Sequence, residues 1–240
     1  MLKLPEYEFF CHEQTTVELG RHSSYALTWL QTRIQSGAIT EYTDERIIRE
    51  MGYLYFKASL SQYTAMLKNA CDAFDKNYFA GYFGELNKLD YLRITQEGYL
   101  QALKKLDAEI GEGSNLGEIK EYVLLQWLNT NNDEPVLYFC SDDKNARNGV
   151  LSIEGAKVQC ISVISAFQWL KAGGVFTKDT AQPYIDSALH YYNETKQASV
   201  RVVEASPIGR YVRIPYEQVL KEIYNEQFVR LPNGMLKYRT

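Results

Sequence analysis

Two hydrophobic patterns alternate along this chain. Short runs rich in β-forming residues, of which Val136–Cys140 is the clearest, are typical of buried strands, whereas apolar residues recurring every three or four positions are typical of amphipathic helices. The alternation predicts an α/β fold with a central, mostly parallel sheet flanked by helices. The strands are predicted at 7–11, 39–42, 136–140 and 157–161, and the helices at 15–19, 23–35, 43–89 with breaks, 95–110, from 117 onward, 145–151 and 163–171.

The helix that begins near Gly117 has an acid in its first turn. Ile119, Val123 and Trp127 follow i, i+4, i+8 spacing and give this helix one apolar face. Glu118 stands at its N-terminal end, where a negative charge is favourable to the helix dipole without any metal. Glu118 is therefore explained either by helix stability or by ligand binding.

Two further acids follow the strand 136–140 directly. In open α/β sheets, ligands collect outside the carboxyl ends of the strands, so Asp142 and Asp143 are placed for chemistry. Aspartate is also a favoured N-cap residue, and both side chains would suit the start of the short helix predicted over 145–151. The sequence leaves both explanations open.

Gly173-Gly174 is the clearest candidate boundary. It predicts an α/β domain over 1–172 and a smaller α+β appendage over 173–240. The appendage is expected to hold helices at 180–195 and 216–225 and a β-rich piece at 200–214. Near its end, Pro232-Asn233-Gly234 separates two short apolar runs, a composition typical of a β-hairpin.

Composition and charge narrow the function classes. A net charge of −4 and a pI near 5.5 argue against coating of nucleic acid by bulk electrostatics, although a local basic groove would not show in the total. The four cysteines form no CxxC pair, which gives zinc or a disulfide framework little support. We expect a cytoplasmic protein without a membrane span. Six cations of the appendage could form a basic face, although scattered charges of this kind usually serve solvation: Arg201, Arg210, Arg213, Arg230, Lys237 and Arg239.

Several catalytic chemistries have little support in the sequence. His12, His22 and His190 have no ligand spacing, and no serine or cysteine has a neighbouring base that would activate a nucleophile. The glycines at 111–117 lack the Lys-Ser/Thr ending of a P-loop and follow a helix instead of a strand. A hydrolytic triad and P-loop nucleotide binding are thus disfavoured.

The motifs from Gly117 onward resemble the C-terminal half of a PIN domain. They comprise Gly117-Glu118 opening a helix, an apolar strand ending in Ser141-Asp-Asp-Lys-Asn-Ala-Arg147, then Gly149, a second strand and a helix over 163–170. The stretch Phe9–Leu19, with Thr-Thr-Val-Glu-Leu, is similar to the place where a PIN strand leads into a helix bearing a glutamate. The resemblance covers roughly residues 6–172 and is dense over 117–171.

The resemblance implies a metal-dependent ribonuclease. Glu18 matches the helix glutamate of the family, Glu118 its acid at a helix start, and Asp142 or Asp143 its acid at a strand exit; Glu118, Asp142 and Asp143 would bind Mg²⁺ or Mn²⁺. Hard divalent cations prefer such oxygen ligands. Arg147 and Asn145 would contact the substrate, which is expected to be RNA, and a bacterial toxin or defence effector with an antitoxin partner would fit this activity.

One family feature is missing, which keeps a second function class open. PIN nucleases begin with a strand ending in an aspartate, and the stretch Met1–Pro5 holds no acid. Without that ligand, a catalytically inactive PIN-like module for partner binding or homo-oligomeric assembly is the alternative, favoured also by the 19 tyrosines. A small-molecule hydrolase at the same sheet edge is a third hypothesis.

Overall fold

The computed structural model of this chain describes residues 7–75, 79–110, 115–131, 137–141, 146, 158–191, 197–203, 210–223, 228–230 and 236–239. Most of them are helical. The helices are α1 (Glu13–His22), α2 (Ser24–Gln35), α3 (Asp44–Tyr55), α4 (Ser59–Asp75), α5 (Ala80–Leu86), α6 (Gln96–Ile110), α7 (Leu116–Asn131), α8 (Val163–Ala172), α9 (Lys178–Tyr191) and α10 (Tyr216–Glu222). The strands are β1 (Phe10–His12), β2 (Thr40–Tyr42), β3 (Leu137–Cys140), β4 (Val158–Ile161), β5 (Gln197–Val203), β6 (Arg210–Pro215), β7 (Phe228–Arg230) and β8 (Leu236–Arg239).

The chain divides into two compact units. The first comprises Met1–Leu137 with Asn148–Lys157, and the second Tyr138–Arg147 with Val158–Thr240. This grouping by internal contacts differs from the predicted division after residue 172, which stays a prediction about domains. The functional residues described below lie within one unit or the other.

The first unit opens with a parallel strand pair. Phe10 in β1 lies opposite Thr40 in β2, and a parallel pair requires a crossover connection, which α1 and α2 supply. Gly37 ends this crossover with a φ of +71°, a conformation that glycine adopts without the steric cost of a Cβ. Thr43 then begins α3, because its hydroxyl accepts a hydrogen bond from the Arg46 N–H at 3.0 Å.

The core of the first unit lies where α4 packs against α3 and α7. The apolar positions of these helices recur every three or four residues, so each presents one continuous face to the others. Burial of one such large side chain contributes about 1.5–3 kcal/mol. The largest fully buried apolar side chains are Ile47, Ile48, Met51, Tyr63, Leu67, Phe79, Leu86, Tyr99, Tyr122 and Trp127.

The second unit contains a short sheet and a larger one. Ser141 N, just after β3, donates to the carbonyl of Ile161 at the end of β4, so the carboxyl ends of these two strands lie side by side and the strands are parallel. The larger sheet has the order β6-β5-β8-β7. In it β5 runs antiparallel to β6 and parallel to β8, and β7 runs antiparallel to β8.

The broad α/β class agrees with this structure, and most predicted elements are found. The predicted helix 23–35 and the strands at 39–42, 136–140 and 157–161 appear within one residue of their expected bounds. The predicted C-terminal hairpin is confirmed by the antiparallel pairing of β7 with β8. The described strands lie in three separate sheets, so a single central sheet is not among the described elements. The helix expected at 145–151 falls almost wholly outside the described residues.

Candidate functional site

The first unit brings Glu18 to the N-terminus of α7. The backbone N–H of Gly117 donates to Glu18 Oε1 at 2.7 Å, a contact between α1 and the first turn of α7. The first N–H groups of a helix have no intrahelical partner, and a carboxylate there satisfies one of them and interacts favourably with the helix dipole. Glu18 therefore contacts the residue that directly precedes Glu118, the other acid that the sequence assigns to the same site.

Gly117 makes this close approach possible. A Cβ at position 117 would lie 2.3 Å from Glu18 Oε2 and 2.8 Å from its Cδ, closer than real Cβ contacts. The glycine is buried and its φ is not positive, so the requirement is for space and not for a left-handed backbone. Any side chain here would displace the Glu18 carboxylate.

A second contact between α1 and α7 fixes the register of the two helices. Glu121 Oε1 accepts hydrogen bonds from the His12 N–H at 2.8 Å and from the Thr15 hydroxyl at 2.5 Å. Thr15 meets position 121 and Glu18 meets position 117, so the two helices run antiparallel along this seam. We call Glu18, Glu118 and Glu121 the acidic seam.

The seam concentrates negative charge. Burial raises the pKa of the Glu121 carboxyl, the hydrogen bonds from Thr15 and His12 lower it in part, and the charge of Glu118 raises it further. The influence of Glu118 on Glu121 reflects their i, i+3 spacing on α7. A cation beside these acids would relieve their mutual repulsion.

Beneath the seam lies a buried ion network. Lys120, whose side chain is fully buried, donates to Asp44 Oδ2 at 2.8 Å and lies 3.0 Å from Asp107 Oδ2. Tyr63 donates a short hydrogen bond to Asp44, and Tyr82 donates to Asp107 Oδ1 at 2.7 Å. The single ammonium thus joins α3, α6 and α7, and each of the two carboxylates has a further tyrosine donor.

Each charged group of this network keeps its partner ionised. Burial alone would raise the pKa of Asp44, but Lys120 and the hydrogen bond from His12 hold that pKa well below its usual value. Burial alone would lower the pKa of Lys120, yet Asp44 and Asp107 hold it above its usual value. Burial and the Asp44 charge raise the pKa of Tyr63, which stays a neutral donor.

His12, Glu13 and Asp44 offer ligand atoms within 4.8 Å of one another, yet this cluster is already engaged. His12 Nδ1 accepts from the Gln14 N–H at 3.1 Å, so Nε2 carries the ring proton and donates to Asp44 Oδ1 at 3.1 Å. The Asp44 carboxylate accepts hydrogen bonds from His12, Tyr63 and Lys120, and a metal ion would have to displace the Lys120 ammonium. The donor set at this cluster therefore fits a structural hydrogen-bond centre and does not fit a metal.

The other predicted site residues lie outside the described residues. They are Asp142, Asp143, Asn145 and Arg147. Their roles as metal ligands and substrate contacts stay predictions.

Sequence reasoning missed the buried network. The sequence patterns single out neither Asp44 nor Lys120. The sequence did contain a sign that Lys120 is buried. Most residues of α7 are apolar, and Ile119, Val123 and Trp127 are all buried, so little of this helix is left to face solvent. Its partners come from distant helices and have no local pattern.

An exposed aromatic surface lies on α2. Tyr25 is 79% exposed and Trp29 is 50% exposed, and the Arg33 guanidinium lies 5.4 Å from the centroid of the Trp29 ring. With Thr28 and Thr32 these residues line a depression of about 160 Å³. We call these five residues the α2 surface.

The chain matches no protein-family model, no curated protein and no solved structure. Among the described helices, none offers the length and apolar character that a bilayer span requires.

Proposed function

We propose that this protein is a PIN-like, metal-dependent ribonuclease that cleaves phosphodiester bonds. The observation that supports this most strongly is the hydrogen bond from Gly117 N to Glu18 Oε1, which joins the two stretches that separately resemble a PIN domain. Those stretches are 99 positions apart in the chain. Their meeting point is the helix start at which the resemblance places two acids of a metal site.

The negative charge at Glu118 and Glu121 suits a hard divalent cation such as Mg²⁺ or Mn²⁺, whose preferred ligands are carboxylate oxygens. Glu18 and Glu118 would hold the ion, and Asp142 and Asp143 stay the further ligands that the family resemblance predicts. When bound, such an ion supplies a water of lowered pKa and neutralises charge on the phosphodiester.

Glu121 and Lys120 position these acids. Glu121 holds the first turn of α1 through Thr15 and the His12 N–H, which sets where Glu18 stands along α7. Lys120, one residue before Glu121, joins α7 to Asp44 in α3 and Asp107 in α6. Arg147 and Asn145 would contact the RNA substrate, and a role as a toxin or defence effector is part of this proposal.

Binding of Mn²⁺ to the 240-residue chain tests the proposal directly. Replacement Glu118→Gln keeps the size of the side chain and removes its charge, so we expect the dissociation constant for Mn²⁺, measured by electron paramagnetic resonance, to rise roughly 10–100-fold. Glu97→Gln is the matched control, because Glu97 is an acid in the first turn of another helix, α6. Equal Mn²⁺ binding by both variants, or no binding by the parent chain, would overturn the metal site.

A second candidate is a catalytically inactive module that assembles with copies of itself. The α2 surface favours it, because Tyr25 and Trp29 expose large rings on one stripe of a helix. Sedimentation equilibrium would show self-association that Tyr25→Ser/Trp29→Ser weakens. The control Leu92→Ser removes another exposed apolar side chain, 92% exposed, and should leave it unchanged. A parent chain that is monomeric at every concentration contradicts assembly.

A further inference from the structure

The sheet β6-β5-β8-β7 is rich in cations and has no acid. Its four strands read QASVRVV, RYVRIP, FVR and LKYR, and together they hold six of the nine Lys and Arg residues that follow residue 172. The chain as a whole has a net charge of −4, so this segment departs strongly from the average. The strand register shows on which face of the sheet each cation lies.

The register places four of the six cations on one face. Residues that are directly opposite on neighbouring strands share a face, and so do residues two apart on one strand. Arg201 is opposite Lys237 across β5 and β8, and Arg239 is two positions beyond Lys237. Arg213 is opposite Ser199, which is two positions before Arg201. We call Arg201, Arg213, Lys237 and Arg239 the basic face.

The alternate positions form an apolar face. Val200 lies opposite Val212, and Ala198 lies opposite Ile214, which is buried. The helix α10 contacts both β5 and β6, and its Val219 and Ile223 are fully buried. Ile214 is thus a buried position on this side of the sheet. Arg210 and Arg230 belong to this side by register, because they lie opposite Val202 and Leu236.

We propose that the basic face binds the phosphate backbone of RNA. Positions two apart on a strand are about 6.7 Å apart, and neighbouring strands are about 4.8 Å apart, so the four cationic positions lie close together. The four strands contain no Asp or Glu that could neutralise them. A polyanion with regularly repeated charges complements such an array, and its binding releases counterions.

An aromatic residue on the same face favours nucleic acid over other polyanions. Tyr211 lies directly opposite Arg201, so it belongs to the basic face by register. Bases stack on aromatic rings regardless of sequence, which neither an acidic protein segment nor an anionic lipid surface can do. The choice of RNA in place of DNA rests on the proposed ribonuclease function, and the inference extends that function by giving its substrate a second contact surface.

The sheet itself supplies a matched pair of variants. Arg201→Gln/Arg213→Gln removes two charges from the basic face, whereas Arg210→Gln/Arg230→Gln removes two charges from the opposite face, so the net charge changes equally. Binding of a fluorescein-labelled single-stranded RNA to the 240-residue chain is measured by anisotropy in EDTA, where metal-dependent cleavage does not proceed. We expect about tenfold weaker binding for the first variant only. Its slope of log K against log salt should fall by about 1.4, because each lost phosphate contact removes about 0.7.

Defined outcomes would overturn the inference. They are the absence of RNA binding by the parent chain, equal weakening by the two double variants, and an effect of the basic-face variant on binding to phosphatidylserine vesicles or polyglutamate but not to RNA. Thermal melting monitored by circular dichroism checks folding, and Lys237→Gln/Arg239→Gln repeats the test should the first variant melt early. A chain that binds RNA through this face without cutting it would contradict the proposed function and support the inference.

Discussion

The Glu18 carboxylate accepts a hydrogen bond from the backbone N–H of Gly117 at 2.7 Å, across 99 positions of sequence. This one contact joins α1 to the first turn of α7, at the residue that precedes Glu118. It also depends on the absence of a side chain at position 117. The geometry of the acidic seam can therefore be tested by adding a single methyl group.

Replacement Gly117→Ala should displace the Glu18 carboxylate. The added Cβ would take the space of the Glu18 carboxylate, which would turn away and lose its hydrogen bond to the Gly117 N–H. Because losing that bond costs about 0.5–1.5 kcal/mol, we expect it to cancel the gain that alanine gives inside a helix, and we expect weaker Mn²⁺ binding. Gly52→Ala is the control. Gly52 lies inside α3 with nothing within 4 Å of an added Cβ, and its replacement should raise the free energy of unfolding, measured with urea, by about 0.5–1 kcal/mol. A Gly117→Ala variant that is stabilised as much as Gly52→Ala would contradict the contact.

Removal of the buried ammonium should be strongly destabilising. In Lys120→Met the carboxylates of Asp44 and Asp107 keep their burial but lose their shared cation, and we expect a loss of about 3–5 kcal/mol in the free energy of unfolding. The exposed pair Lys105–Glu109 provides the comparison, since Lys105→Met should change stability by less than about 0.5 kcal/mol. Similar losses for both variants would show that Lys120 is not a buried ion-pair residue.

Acid should weaken the fold through Asp44. The pKa of Asp44 is held below its usual 3.8, so its contribution to stability is present above that value and is lost as the pH falls below it. We expect the parent chain to lose stability between about pH 5 and pH 3, with a slope that Asp44→Asn reduces by up to about 1.4 kcal/mol per pH unit. Asp72→Asn, in an exposed pair with Lys68, should keep the parent slope. Identical slopes for parent and Asp44→Asn would refute the assignment.

Glu121 should have the opposite pH dependence. Burial raises its pKa above 4.5, so the folded state holds this proton more tightly than the unfolded state and stability falls as the pH rises through the raised value. In Glu121→Gln the amide oxygen can still accept hydrogen bonds from Thr15 and the His12 N–H. This variant has no carboxyl at position 121, so it lacks the loss of stability that Glu121 causes as the pH rises. The stability of Glu121→Gln relative to the parent should therefore be higher at pH 7 than at pH 4. A difference that is constant with pH would contradict a buried carboxyl.

The local elements were predictable from the sequence because their signals are local. Thr43 caps α3, and the apolar spacing of Ile119, Val123 and Trp127 marked α7. The hydrogen bond between Glu18 and Gly117 was not predictable, since no local pattern relates positions 18 and 117.

The buried network could not be predicted in this way. Lys120, Asp44 and Asp107 come from three helices, and their contacts depend on tertiary packing that periodicity does not encode. The basic face is a similar case. The sequence shows six scattered cations, and only the register of β5 with β6 and β8 separates the four on one face from the other two.

Cleavage of a fluorescent single-stranded RNA in the presence of Mn²⁺ tests the proposed function most directly. We expect the parent chain to cut the RNA, EDTA to abolish the reaction, and Glu118→Gln to slow it at least about 100-fold while Glu97→Gln does not. A parent chain that leaves the RNA intact, or a Glu118→Gln variant that cuts at the parent rate, would contradict the proposed ribonuclease function.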